Sequence, residues 1–141
     1  MMSRATLSST IIREKSVFAI SFSPDNKKIA IGGHDNKATI FDTYTGREIV
    51  SFPRDGWIRT LSFSPDSKKL AVAGFDRKVN IYSISSRRKV QVFRRSRWIL
   101  SVAFSYDGKK LAVGGQDGMA VVYSVKSGEL LHSFQQNDWV W

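Results

Sequence analysis

The chain of 141 residues contains no cysteine, only two histidines and only three prolines. Without cysteine there is neither a disulfide framework nor a thiolate metal site, a composition that fits a reducing compartment. Two imidazoles, His34 and His132, are too few for a histidine-rich metal centre, and no metal or other cofactor is expected. No apolar run approaches the length that spans a bilayer, and the first ten residues hold no long apolar stretch of the secretory kind. An intracellular protein, cytoplasmic or nuclear, is therefore expected. Long phosphate-binding loops and nucleophile elbows are also missing: the sequence has no Gly-x-x-x-x-Gly-Lys-Ser/Thr and no Gly-x-Ser-x-Gly. Catalysis is not expected.

Hydrophobic residues make up 42% of the chain, with nine Phe, four Trp and four Tyr, which is too much apolar material for a disordered polypeptide. Basic residues outnumber acidic ones by 22 to 12, a formal charge of +10 that favours acidic proteins, nucleic acid or anionic lipid as neighbours.

The apolar and aromatic residues recur with one step. Phe22, Phe63 and Phe104 are separated by 41 residues (63 − 22 = 104 − 63 = 41). The same step relates Ile29, Leu70 and Leu111; Asp35, Asp76 and Asp117; Phe41, Tyr82 and Tyr123; Phe52, Phe93 and Phe134; and Trp57, Trp98 and Trp139. A fixed period of this length marks a repeat architecture. Within the second unit, alternation of apolar and polar residues predicts strands over 58–63, 69–73, 79–83 and 89–93, divided by the turns Ser64-Pro65-Asp66-Ser67, Gly74-Phe75-Asp76-Arg77 and Ser85-Ser86-Arg87-Arg88. Four short antiparallel strands in about 40 residues match one blade of a β-propeller. The spacing of two and the β-branched residues argue against helices.

The segments Phe22-Ser23-Pro24-Asp25 and Phe63-Ser64-Pro65-Asp66, relaxed to Phe104-Ser105-Tyr106-Asp107, resemble the first hairpin of a WD40 repeat, as do Ile31-Gly32-Gly33-His34-Asp35 and Val113-Gly114-Gly115-Gln116-Asp117. The resemblance covers about residues 16–141. It implies an all-β fold of three four-stranded antiparallel blades forming an open or partial propeller, and a scaffold that mediates protein–protein interactions. The expected division is a tail over 1–15 with a lone outer strand (Thr6 to Ile12) of a preceding blade, blades over 16–56, 57–97 and 98–134, and the start of a further blade over 135–141. Three blades are few for a closed ring, since propellers commonly have four to eight. The chain is accordingly expected to be a piece of a longer propeller without independent function, or to self-associate into a ring, or to stand as an open arc.

The departures from the family pattern point to particular residues. Phe41, Tyr82 and Tyr123 stand in the tryptophan slot, and Arg13, Arg54 and Arg95 in the slot of the family's histidine. Each Arg precedes an Asp by 22 residues (35 − 13 = 76 − 54 = 117 − 95). The pairs Arg13–Asp35, Arg54–Asp76 and Arg95–Asp117 are expected to replace the family's His–Asp contacts, since a guanidinium bonds a carboxylate with two teeth.

Two basic surfaces follow from the resemblance. One face would carry Lys27, Lys28, Lys68, Lys69, Lys109 and Lys110, read as solvated turn lysines. The other would carry Trp57, Arg59, Arg94, Arg95, Arg97 and Trp98, a composition suited to a protein-interface hot spot or to stacking on nucleic-acid bases, while the strict period of the tryptophans equally reads as rings at the mouth of each first strand that pack between blades. Phe93-Arg94-Arg95-Ser96 also resembles the Phe-Arg-Arg-Gly motif of the phosphoinositide-binding propellers called PROPPINs, with Ser96 where that family has Gly. That likeness implies an anionic lipid headgroup as ligand.

Overall fold

Alternating side chains and turn residues every eight to twelve positions leave the chain little choice but short strands, and these are what the computed structural model contains. It describes residues 10–13 and 15–141. Twelve strands occur among the described residues. The first sheet holds β1 (Val17–Phe22), β2 (Lys28–Gly33), β3 (Lys37–Asp42) and β4 (Glu48–Pro53). The second holds β5 (Ile58–Phe63), β6 (Lys69–Gly74), β7 (Lys78–Ser83) and β8 (Lys89–Arg94). The third holds β9 (Ile99–Phe104), β10 (Lys110–Gly115), β11 (Met119–Ser124) and β12 (Leu130–Gln135). Each sheet is an antiparallel meander in chain order. The strands of the second sheet lie within one residue of those predicted from the sequence. Of the lone outer strand expected over Thr6 to Ile12, residues 6–9 lie outside the described residues, and Thr10, Ile11 and Ile12 belong to no strand.

The first hairpin of each blade is closed by a small polar network. Ser23, Ser64 and Ser105 donate their hydroxyls to Asp25, Asp66 and Asp107 at 2.5, 2.5 and 2.7 Å. The same carboxylates accept the backbone N–H of Lys27, Lys68 and Lys109 at 2.9–3.0 Å. This Asx-type bonding is why Ser and Asp recur at these positions. At the other end of the hairpin, glycine is obligatory. A Cβ at Gly74 would collide with the Trp57 carbonyl oxygen, where β6 crosses the start of β5.

A bulge sits at that same crossing in every blade. The register slips between Val17 and Ala19, between Ile58 and Thr60, and between Ile99 and Ser101 opposite Gly115 and Gly114. Phe18, Arg59 and Leu100 are thereby left out of the ladder and re-aimed.

The core lies between blades, not within them, because a single four-stranded sheet has no second layer of its own. One cluster joins Ala30, Ala38, Ile40 and Phe52 of the first blade to Leu61, Phe63, Leu70, Val72 and Tyr82 of the second. The other joins Ala71, Ala73, Ile81 and Phe93 of the second blade to Val102, Leu111, Val113 and Tyr123 of the third. In both, a face of mainly small side chains receives a face of large ones. Each interface is marked by a stacked aromatic pair, Phe52–Tyr82 with centroids 4.0 Å apart and Phe93–Tyr123 at 4.2 Å. The aromatic that replaces the family's tryptophan thus serves as the stacking partner of the preceding blade's outer strand.

Candidate functional site

Backbone hydrogen bonds sort the turns onto two faces. The turn after β1 bonds the turn after β3 through Thr43 N–H to Lys27 O, and the pattern repeats as Ile84 to Lys68 and Val125 to Lys109. The six lysines of the first-hairpin turns therefore share a side with Arg47, Arg87, Arg88 and Lys126. On the opposite side, the turn after β2 bonds the connection between blades, through Arg54 N–H to Asn36 O, Arg95 N–H to Arg77 O and Gln136 N–H to Gly118 O.

On that second side the three arginines reach forward into the blade that follows them. Arg54 donates from Nε and Nη2 to the two oxygens of Asp76 at 2.8 and 2.9 Å, from Nη1 to Val72 O at 2.7 Å and from Nη2 to Lys78 O at 2.8 Å. Arg95 donates to Asp117 at 2.5 Å and to the Tyr123 hydroxyl at 3.3 Å. Arg13 donates to Asp35. Burial lowers the pKa of Arg13, and at Arg95 the same desolvation is outweighed by the bonds to Tyr123 and Asp117. All three latch a connection to the next sheet through charge-assisted hydrogen bonds to a carboxylate.

The structure divides the six residues singled out as partner-binding. Trp57 and Trp98 are exposed and lie in one aromatic row. Arg97 is exposed beside Trp98 in the chain. Arg95 is turned inward onto Asp117. Arg94 lines a groove of about 600 Å³ between the outer strands of the first two blades, together with Arg87 and Lys89. Arg59, the bulge residue of β5, lies 5.7 Å from the ring centre of Trp141 and forms a cation–π contact there.

The row itself is longer than the two tryptophans. Phe18 meets His34 edge-on at 4.1 Å, His34 lies 3.9 Å from Trp57, Trp57 is 5.5 Å from Phe75, and Phe75 stacks on Trp98 at 4.3 Å with 16° between the planes. These rings carry contact from the first blade to the third across the mouths of the inner strands β1, β5 and β9. Phe18, His34 and Phe75 were not singled out from the sequence. Their signal was there: His34 and Phe75 occupy the position just before each repeated Asp, one period apart (75 − 34 = 41).

Comparison with known proteins bears on this arrangement. No curated protein sequence matches the chain. The chain is similar to the structure of U3-55K and to the crystal structure of RRP9 WD40 repeats, each with a TM-score of 0.87 at 17% identity over 92% of this chain. It spans 42% of the length of those chains, less than half. The family model described as anaphase-promoting complex subunit 4 WD40 domain matches residues 91–140. The model described as WD domain, G-beta repeat, matches residues 5–42 and 46–83, more than half of the chain. With three four-stranded blades stacked large face on small, the chain belongs to the WD40 repeat family.

Proposed function

We propose that the chain is a non-catalytic binding module that holds a protein partner against the aromatic row Phe18–His34–Trp57–Phe75–Trp98. The row carries this reading: it is a continuous, partly exposed stripe of rings on a rigid frame. Rings of this kind bury a large area at small entropic cost, which is why aromatic residues dominate interface hot spots. WD40 repeats generally mediate protein interactions, and the charge of +10 favours a partner with an acidic surface. Affinity capture of partners from cell extract, with the native chain and a Trp57→Ala/Trp98→Ala variant side by side, tests the reading. The variant is expected to lose the captured proteins, while a Lys68→Ala/Lys69→Ala control on the other face keeps them. Equal capture by all three chains would refute it.

A second reading, binding of an anionic ligand such as nucleic acid or a lipid headgroup, is favoured by the groove that Arg87, Lys89 and Arg94 line. Glu48, Asp55 and Asp76 line the same groove, but Asp76 is paired with Arg54 and Asp55 with Lys78, which leaves Glu48 against Arg87, Lys89 and Arg94. Arg95, which completes the Phe-Arg-Arg likeness, is already committed to Asp117. Salt separates the two readings. Binding to phosphates weakens steeply as ionic strength rises, and binding centred on aromatic rings does not.

A further inference from the structure

We infer that the groove between the outer strands of the first two blades holds an acidic segment of a protein partner, laid along β4 in extended form. Every residue of β4, from Glu48 to Pro53, lines one bank of the groove. Of β8, only Lys89, Val92 and Arg94 line the other. The first blade therefore meets the groove with the edge of its outer strand, and the second blade meets it with one sheet face. β4 ends the first sheet, and its outer N–H and C=O groups have no backbone partner among the described residues. The groove lies on the outer strands, apart from the aromatic row at the mouths of the inner ones, so the two surfaces are tested separately.

Charge identifies the occupant. Arg87, Lys89 and Arg94 correspond to Gly46, Glu48 and Pro53 one period earlier, and to Gly128, Leu130 and Gln135 one period later. The basic trio thus belongs to the second blade alone, and the repeat does not require it. All three side chains are exposed, and none makes an ion pair among the described residues. Glu48, the acid left against them, also borders the cavity around Arg13. Arg87 carries the positive lining onward into a neighbouring cavity with Lys28 and Lys68. The free edge of β8 has no such lining, because the matching positions of the third blade are uncharged. A phosphate answers the charge but not the edge, which offers donors and acceptors in alternation. A polypeptide strand with acidic side chains answers both. At about 3.3 Å per residue, the six residues of β4 accommodate about six of the incoming segment.

Fluorescence anisotropy of a labelled peptide of alternating Glu and Thr, about eight residues long, tests this on the native chain. Saturable binding is expected. Arg87→Gln/Lys89→Gln/Arg94→Gln should weaken it about tenfold or more at the same ionic strength. Lys27→Gln/Lys109→Gln/Lys110→Gln removes as many charges from the turns on the lysine-bearing side and should leave the affinity within about twofold. Replacing the peptide's Glu by Gln removes its charge, and methylating its main-chain nitrogens removes the donors that pair with β4. Each change should abolish binding. The substituted residues lie outside both core clusters, and far-UV circular dichroism checks that each variant stays folded. Octathymidylate and vesicles of phosphatidylcholine with phosphatidylserine are titrated alongside as the phosphate-bearing alternatives. Four results would each overturn the inference: no binding of the peptide, equal weakening by the two triple variants, retained binding of the methylated peptide, or tighter binding of the oligonucleotide or the vesicles that depends on Arg87, Lys89 and Arg94.

Discussion

Replacing Arg54 by alanine removes four hydrogen bonds from a site closed to water. Two go to Asp76 at 2.8 and 2.9 Å, and one each to Val72 O and Lys78 O at 2.7 and 2.8 Å. The side chains of Arg54 and Asp76 are 2% and 6% exposed, against 15% and 16% for Arg95 and Asp117. Removing one partner of a buried ion pair leaves an uncompensated charge, at a cost of about 3–5 kcal/mol. Arg95 makes one bond to its carboxylate and one longer bond to Tyr123, with water nearer, so its loss should cost about 1.5–3 kcal/mol. The two sites occupy the same position in successive blades, so they are matched controls. Urea unfolding followed by tryptophan fluorescence measures both. The double variant Arg54→Met/Asp76→Leu should return most of the lost stability, because an apolar pair of similar volume has no charge to strand. If Arg54→Ala costs less than about 1 kcal/mol, or less than Arg95→Ala, the buried latch does not hold the first two blades together as described.

Three further outcomes follow from the packing and the turns. Asn80 fills a buried slot that Val121 fills in the next blade; its Nδ2 donates to the Tyr82 hydroxyl at 2.9 Å while its Oδ1 has no partner among the described residues, so Asn80→Val trades one buried bond for one unsatisfied oxygen and should change stability by less than about 1 kcal/mol in the same urea assay. Gly74→Ala should lower it by at least about 1–3 kcal/mol, since the added methyl meets backbone that cannot yield. The Ser23, Ser64 and Ser105 hydroxyls, with the Lys27, Lys68 and Lys109 N–H groups, hold the carboxyls of Asp25, Asp66 and Asp107 below their ordinary range. A pKa lowered by folding contributes stability that is complete above the unfolded value of about 4 and disappears as pH falls through the folded one. The urea midpoint should therefore decline below about pH 4, and less steeply in a Ser23→Ala/Ser64→Ala/Ser105→Ala variant; equal acid slopes would show that the turns are not the source.

Much of the architecture was legible because each blade solves the same burial problem. Phe52 and Phe93 each need a flat ring opposite, and Tyr82 and Tyr123 supply it, so the repeat of these residues encodes the stacking of sheets. The spacing of 22 residues between each Arg and its Asp was legible for the same reason, a fixed path from one connection to the next hairpin. The candidate surface was less so. Arg94 and Arg95 are neighbours in sequence, but only Arg95 turns in to bond Asp117, a choice fixed by where the chain leaves β8. Arg59 meets Trp141 only because the bulge in β5 throws it out of the ladder, and no local pattern announces a bulge. His34 and Phe75 read as ordinary turn residues, and their rings gain a role only when two blades bring tryptophans beside them.

Hydrogen–deuterium exchange of the chain with and without a captured protein partner tests the proposed surface most directly. Binding is expected to slow exchange at the starts of β5 and β9, around Trp57 and Trp98, and at the turn holding Phe75. Protection confined to the lysine-bearing hairpin turns, with no change along the aromatic row, would contradict the account.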